Sequence, residues 1–368
     1  MRIDAFDFDL PPDRVAQRPV EPRDASRLLV LDPATDALLD RHAYDLPELL
    51  ARDAVLVVND TRVIRARLMG RKAETGGKVE LLLVRKVAEE PIVHAGKRVT
   101  AEHWRAMGKA SKAFRFPATV LFGNPPSLIA LLRDRADDGL LDVTLVSPNG
   151  AMPSAIVERI GRIPLPPYIR REDDEQDVER YQTVYARQEG AVAAPTAGLH
   201  LTHRLIGALS ARGIQMATVT LHVGPGTFQP VMVDDLDEHP MHEERYEVSH
   251  HAAKMIESAR ERGAPVVAVG TTSVRALEAA ADPDRLGFVR PGEGATRLLI
   301  QPGYAFRVVD AMLTNFHLPR STLLALVSAM AGRDRILDAY RHAVEQGYRF
   351  YSYGDAMLIQ GRTKGVTS

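Results

Sequence analysis

The stretch VVAVGTTSVRAL, residues 266–277, decides the fold class that we predict for this chain of 368 residues. Its first four residues form an unbroken apolar run, which is typical of a strand buried on both faces of a sheet. A glycine and three hydroxyl residues follow, and such residues often begin a helix because their side chains accept hydrogen bonds from its first amides. The stretch therefore predicts a buried strand, a turn and a helix.

Strand-like and helix-like runs alternate outward from this unit. The strand-like runs are 215–223, 265–269, 297–300 and 306–313, and the helix-like runs are 252–262, 273–281, 321–331 and 333–346. The apolar run AVLVV at 54–58 resembles another buried strand. We therefore predict an α/β fold with a mainly parallel sheet and flanking helices.

The segment between these parts has a different character. Short β-rich runs such as KVELLLVR at 78–85 and LDVTLV at 141–146 are separated by glycine and proline breaks, and their spacing predicts a small all-β barrel. The proline-rich connector IPLPPYI at 163–169 ends it. We predict a major, catalytic α/β domain of residues 1–60 and 160–368, with an inserted β-barrel-like domain of residues 61–159.

Charge is balanced over the whole chain but not within it. The 47 Lys and Arg residues against 48 Asp and Glu give a net charge of −1, which excludes a protein that is basic everywhere. Residues 60–115, however, carry 14 basic and six acidic side chains. They predict either a nucleic-acid face or a solvated sheet whose edges are protected by cations.

Composition also bounds the setting in which the protein works. The chain has no cysteine, which suits a reducing compartment and excludes disulfides and thiolate metal sites. Its N-terminus lacks the apolar core of a signal peptide, and no apolar stretch approaches the roughly 20 residues that span a bilayer. We expect a cytoplasmic protein with no membrane partner, and a monomer because no heptad repeat is visible.

Polar residues cluster where the predicted strands end. The hydroxyls at 271–273, with Arg275, suit an anionic ligand at a helix start, although capping alone also explains them. The GPGTF turn at 224–228 exposes backbone amides. Three histidines, His200, His222 and His317, lie near such ends and belong either to a site or to the core. We expect no metal site, because HPMHE at 239–243 fits neither HExxH nor HxxEH.

Together these segments resemble the S-adenosylmethionine:tRNA ribosyltransferase-isomerases of queuosine biosynthesis over nearly the whole chain. The resemblance is weaker at 88–149. The matching motifs are VVNDTRVIRARL at 57–68, GGKVELLL at 76–83, PPYI at 166–169, YQTVYA at 181–186, AAPTAGLHLT at 193–202, TLHVGPGTFQPV at 220–231, HPMHEERYEV at 239–248, AVGTTSVRALE at 268–278, PGYAFRVVDAMLTNFHLPRSTLLALVSAMAG at 302–332 and YSYGDAMLI at 351–359.

The resemblance implies an α/β major domain with an inserted β barrel, and an unusual reaction. S-adenosylmethionine, a co-substrate rather than a cofactor, gives its ribosyl portion to the aminomethyl group of 7-aminomethyl-7-deazaguanine at the wobble position of tRNA. The sugar is isomerised to give epoxyqueuosine, and adenine and methionine are released.

This chemistry, combined with residue type, predicts roles for particular side chains. A base must remove a proton from the carbon beside the sulfonium, and histidine suits that task near neutral pH. We predict His222 as this base, with His200 second, and His317 as the acid that protonates departing adenine. Aromatic faces attract a sulfonium, and Phe228, Tyr304 and Phe316 are the candidates.

The remaining site residues divide by ligand. The helix start with Arg275 suits the methionine carboxylate, whereas Asn59, Asp60 and Asn315 suit ribose hydroxyls. The predicted substrate-binding set is Asn59, Asp60, Thr61, Arg62, Thr196, Gly224, Gly226, Thr227, Phe228, Thr271, Thr272, Ser273, Arg275 and Asn315. The predicted tRNA-binding set is Arg65, Arg67, Arg71 and Lys72, because these cations closely follow the presumed site and phosphate contacts dominate affinity for nucleic acid.

Two other functions compete with this one. A non-catalytic RNA-binding protein needs no small-molecule site, whereas the glycine and hydroxyl turns favour one. An S-adenosylmethionine-dependent methyltransferase is disfavoured because no glycine-rich GxGxG loop follows a first strand. The released products separate all three.

Overall fold

The computed structural model describes residues 1–136, 139–224 and 231–361. Within them, nine strands form one large sheet in the order β15-β13-β12-β3-β14-β16-β17-β1-β2. The strands are β1 Arg27–Asp32, β2 Ala37–His42, β3 Val55–Asn59, β12 Gln215–Leu221, β13 Glu244–Val248, β14 Val266–Val269, β15 Gly292–Thr296, β16 Ala311–Asn315 and β17 Ala356–Ile359.

The sheet confirms a mixed α/β architecture but is not mainly parallel. Strands β12, β3, β14 and β16 run parallel, as do β17 and β1. The other four pairings, including β16 with β17, are antiparallel. The β16 to β17 connection contains two helices, α7 Thr322–Ala331 and α8 Arg333–Glu345. Two successive helices return the chain to the edge that it left, so β17 runs back against β16.

Helices cover both faces of the sheet. Alternate residues of β3 point to opposite sides: Val55 and Val57 belong to one core cluster, and Leu56 and Val58 to the other. The first cluster includes side chains of α5 His250–Glu261, α6 Thr271–Ala279, α7 and α8, and the second includes those of α4 His203–Ala211. Further helices are α1 Leu46–Leu49, α2 Pro153–Ile160 and α3 Glu175–Arg180.

Six further strands close into a barrel in the order β10-β7-β6-β5-β8-β9. They are β5 Arg67–Lys72, β6 Lys78–His94, β7 Lys97–Ala110, β8 Ala118–Phe122, β9 Leu128–Arg135 and β10 Leu141–Val146. Just before them, β4 Thr61–Val63 pairs in parallel with β11 Gln188–Ala191. The barrel thus stands between β3 and β12, which are neighbours in the large sheet. None of the described helices combines the length and apolar character needed to cross a bilayer.

Candidate active site

A cavity lies at the edge of the sheet where β14 and β16 end. The residues around it come from the ends of these strands and from the segments 193–197 and 351–352, as expected for an α/β sheet, in which ligands bind at the carboxyl ends of parallel strands. The described lining residues are Tyr168, Ala193, Ala194, Pro195, Thr196, Ala197, Val223, Gly270, Thr271, Thr272, Thr314, Asn315, Phe316, His317, Leu318, Leu323, Tyr351 and Ser352. They include no Asp, Glu, Lys or Arg.

The first turn of α6 faces this cavity. Its N-cap, Gly270, has a φ of +85° and makes no side-chain capping bond. Thr271 and Thr272 line the cavity, so the amides at this helix start lie beside an open space that favours an anion. Ser273 does not take part, because its hydroxyl is buried and donates to the Val269 carbonyl at 2.7 Å.

Arg275, which the sequence assigned to the methionine carboxylate, is already paired within the protein. Its guanidinium forms a buried ion pair with Glu244, and its Nε donates to the Leu298 carbonyl at 3.1 Å. Position 275 lies one turn beyond the helix start, where the side chain points into the core. Burial raises the pKa of Glu244, an effect that Arg275 and the Gly224 amide oppose.

A buried hydrogen-bonded chain runs inward from two residues of the cavity lining, Thr196 and Asn315. The Thr196 hydroxyl donates to Asn315 Oδ1 at 2.9 Å, Asn315 Nδ2 donates to His200 Nε2 at 3.1 Å, and His200 Nδ1 contacts the Ser26 hydroxyl at 2.7 Å. Since Nε2 accepts, Nδ1 carries the proton and donates to Ser26. Burial lowers the pKa of His200 to about 4. Both ring nitrogens are therefore occupied, and His200 is placed to orient Asn315 rather than to take a proton.

His317 lines the cavity but is neutral. Its Nε2 contacts the Thr314 hydroxyl at 2.8 Å, and its amide donates to the Tyr340 hydroxyl at 2.9 Å. Burial lowers the pKa of His317 to about 3. At neutral pH the unliganded protein therefore holds no imidazolium here that would protonate adenine.

His222 has the arrangement of a general base. Its Nδ1 lies 3.0 Å from the Thr61 hydroxyl, which in turn contacts the Gln188 carbonyl at 3.4 Å. A hydroxyl that donates to Gln188 accepts from Nδ1, which leaves the Nε2 lone pair available. Among the described residues, none hydrogen-bonds Nε2. Burial lowers the pKa of His222, and the charge of Asp60 partly offsets that change.

Asp60 and Asn59 tie His222 to the rest of the site. Asp60 accepts a hydrogen bond from the Thr220 hydroxyl at 2.7 Å, and burial raises its pKa. Asn59 is buried and bonds both backbone groups of Leu221, which holds β3 against β12. It also lies 3.4 Å from the Thr272 hydroxyl. His222 is not among the described lining residues of the cavity, and its hydrogen-bonded link to the lining runs through Thr61 and Asn59 to Thr272.

The aromatic residues predicted to contact the sulfonium differ in their position relative to the cavity. Tyr304 is absent from the cavity lining, and its hydroxyl donates to Glu278 at 3.2 Å. Phe316 lines the cavity but is fully buried among other rings. Gly226, Thr227 and Phe228 lie outside the described residues. Tyr168 and Tyr351 do line the cavity; both lie in the family-like motifs PPYI and YSYGDAMLI, but residue type alone did not single them out.

The predicted tRNA-binding cations are not equivalent. Arg67 forms a two-pronged bond with Glu80 at 2.8 and 3.1 Å, and Lys72 donates to the carbonyls of Lys112 and Ala113, both at 2.9 Å. Arg62 and Arg65 approach Glu189 and Glu158, each at 3.8 Å. Arg71 is exposed, and it stands directly opposite Lys78 across β5 and β6.

Comparison with known proteins places this geometry in context. A family model described as queuosine biosynthesis protein matches residues 3–359. An S-adenosylmethionine:tRNA ribosyltransferase-isomerase from Sorangium cellulosum is 56% identical, with 98% of this chain and 99% of the relative covered. One from Symbiobacterium thermophilum is 49% identical, with 98% and 100% covered. The crystal structure of S-adenosylmethionine tRNA ribosyltransferase from Thermotoga maritima is 35% identical, with a TM-score of 0.53 and 96% and 99% of the two chains covered.

Proposed function

The chain belongs to the queuosine biosynthesis protein family, and from that premise we propose that it is an S-adenosylmethionine:tRNA ribosyltransferase-isomerase. It transfers the ribosyl portion of S-adenosylmethionine to the aminomethyl group of 7-aminomethyl-7-deazaguanine at the tRNA wobble position. The sugar is isomerised to give epoxyqueuosine, while adenine and methionine leave. S-adenosylmethionine is consumed, and the reaction uses no further cofactor.

The observation that carries this proposal is the cavity at the strand ends. Its uncapped α6 start offers amides to a carboxylate, and Thr196 and Asn315 offer polar groups to ribose. The methionine carboxylate binds at Thr271 and Thr272, and the sugar lies toward Asn315. His200 acts as a positioning residue, because it fixes the Asn315 amide.

His222 performs the first chemical step. Its Nε2 removes a proton from the carbon beside the sulfonium, which the positive sulfur acidifies. The imidazolium that forms is stabilised by Asp60, and Thr61 holds the ring in the tautomer that leaves Nε2 free. His317 remains close to the ligand as a neutral hydrogen-bonding group.

The barrel binds the tRNA. We assign this role to the inserted unit of residues 61–159, with the exposed cations around Arg71 and Lys78 contacting phosphates. An anticodon loop is already single-stranded, so extruding the target base costs only a few kcal/mol. A tRNA substrate favours action in the cytoplasm. The enzyme acts there as a monomer.

Product analysis tests the function. The purified protein is incubated with S-adenosylmethionine and tRNA carrying the precursor base, and small molecules and tRNA mass are measured together. Adenine and methionine in equal amounts, with a matching gain in tRNA mass, are expected. Formation of S-adenosylhomocysteine would instead identify a methyltransferase, and tRNA binding with neither product would identify a non-catalytic binder.

A further inference from the structure

A sulfonium ion in the cavity needs a partner that the charged residues do not supply. No carboxylate stands among the described lining residues. The anion-binding end of the cavity, at the start of α6, is matched to the carboxylate of the ligand and not to its cation. Among the described lining residues, attraction to the positive sulfur comes from uncharged groups, and an aromatic face attracts a cation by about 0.5–2 kcal/mol.

Two tyrosines from distant parts of the chain meet at the cavity. The ring centroids of Tyr168 and Tyr351 are 4.7 Å apart, and the ring planes are inclined at 49°. Both residues line the cavity. The Tyr168 hydroxyl is held by the Ser352 hydroxyl at 2.6 Å, so its ring is fixed on the segment that also carries Tyr351. Inclined rings form a corner, a shape that suits a compact cation better than a flat base.

The backbone at Tyr351 is in a conformation that tyrosine rarely adopts. Its φ is +69°, in the left-handed region. Residues 351–354 form a turn, and two hydrogen bonds hold it, from the Tyr351 amide to the Phe316 carbonyl at 3.1 Å and from the Gly354 amide to the Tyr351 carbonyl at 2.9 Å. A glycine would adopt this φ without strain. Strained backbone of this kind concentrates at ligand sites, where it places a particular side chain.

We propose that Tyr168 and Tyr351 form the wall that binds the sulfonium of S-adenosylmethionine. This inference rests on the proposed function and refines it, because it identifies which part of the co-substrate each side of the cavity recognises. It gives the role that the sequence assigned to Tyr304, which does not line the cavity, to two tyrosines that do. The wall distinguishes the charged co-substrate from its neutral thioether analogue, S-adenosylhomocysteine.

Calorimetric binding of the two ligands tests the proposal without turnover. In the wild type we expect S-adenosylmethionine to bind more tightly than S-adenosylhomocysteine. Tyr168→Leu and Tyr351→Leu should each reduce that preference about two- to thirtyfold, the range that cation–π energies imply. Tyr168→Phe and Tyr351→Phe are the matched controls. They keep the ring face, so the preference should stay within about twofold.

Particular outcomes overturn the proposal. An unchanged preference for S-adenosylmethionine over S-adenosylhomocysteine in both leucine variants would overturn it. An equal change of that preference in the leucine and the phenylalanine variants would also overturn it. Should the leucine variants fail to fold, stepwise fluorinated phenylalanine at position 168 preserves the shape while weakening the ring face, and a constant preference across that series would refute the wall. If wild-type protein releases adenine during turnover while these tests fail, the wall is wrong and the proposed function stands.

Discussion

The cavity at the sheet edge and the outer face of the barrel offer opposite chemistry to a ligand. The described cavity lining combines aliphatic side chains with hydroxyl, amide, imidazole and aromatic groups, and it contains no charged side chain. On the barrel, Arg71 and Lys78 stand opposite each other and are exposed. Like charges at a cross-strand pair repel, and a polyanion bound at this face would relieve that repulsion.

Under the proposed function, this difference would let one nearly neutral chain bind two different ligands. A polyanion is attracted by an exposed field that salt weakens. A small ion enclosed in a cavity instead interacts with fixed dipoles and ring faces, and salt screens such buried contacts much less. Substitutions in one region should therefore leave ligand binding at the other unchanged.

The largest expected effect is on catalysis at the cavity. His222→Asn should lower kcat at least a hundredfold, because a positioned general base contributes about 10²- to 10⁴-fold. Binding of S-adenosylmethionine and tRNA should remain within a few-fold of wild type. Single-turnover adenine release, with binding measured separately, provides the test. Adenine release at the wild-type rate would show that His222 is not the base.

The second largest effect is on stability, and it should differ between a buried and an exposed ion pair. Arg275→Ala leaves the Glu244 carboxylate, whose side chain is only 5% exposed, buried without its partner. The variant should lose about 3–5 kcal/mol of unfolding free energy. Arg67→Ala on the barrel breaks a pair in which both side chains are 30% exposed, and should cost at most about 1 kcal/mol. Urea denaturation measures both. Equal losses would contradict the distinction between the two regions.

Acid should lower the unfolding free energy through His200, which is hydrogen-bonded to the cavity residue Asn315. Its folded pKa is about 4, below the unfolded value near 6.5. Stability is therefore full above pH 6.5 and falls as the pH drops toward 4, because only the unfolded state gains the proton there. The expected loss is about 3 kcal/mol. Unfolding curves from pH 7 to 4 should be flatter for His200→Gln; equal slopes would show that His200 is not the source.

The smallest effect concerns the barrel and salt. The exposed cations Arg71, Lys78 and Lys109 have no ion-pair partner among the described residues. Changing all three to Gln should reduce the slope of log affinity for tRNA against log salt by about 2, at roughly 0.7 per phosphate contact. Arg67→Gln with Arg105→Gln is the control, since Glu80 and Asp142 already pair with these arginines. An unchanged slope in the triple variant would place the tRNA elsewhere.

Sequence patterns anticipated the part of this architecture that depends on local order. The apolar runs at 54–58 and 266–269 became the buried strands β3 and β14. The resemblance to the ribosyltransferase-isomerase family is confirmed by the comparisons. The antiparallel pairing of β17 with β16 was not predicted. No sequence pattern shows that two consecutive helices return the chain to the edge of the sheet at which β16 ends.

Site residues were predictable by position but not by direction. Thr271, Thr272 and Asn315 reach the cavity because the carboxyl ends of parallel strands meet at one edge. Ser273 and Arg275 lie on the same helix but point into the core. Which side of a helix faces the sheet is decided by tertiary packing, so the local sequence does not show it. Tyr168 and Tyr351 meet only in the folded chain. The roles assigned to all these residues stay predictions.

The position of β17 has a consequence for the order in which the protein forms during synthesis. The barrel is built from one uninterrupted stretch, 67–146, and can close long before translation ends. By contrast, Leu28 of β1 must wait for Ala356 of β17. Since β17 lies between β16 and β1, a nascent chain that lacks it leaves the β1–β2 hairpin detached from the sheet. A chain truncated before β17 would therefore carry a closed barrel attached to an incomplete sheet.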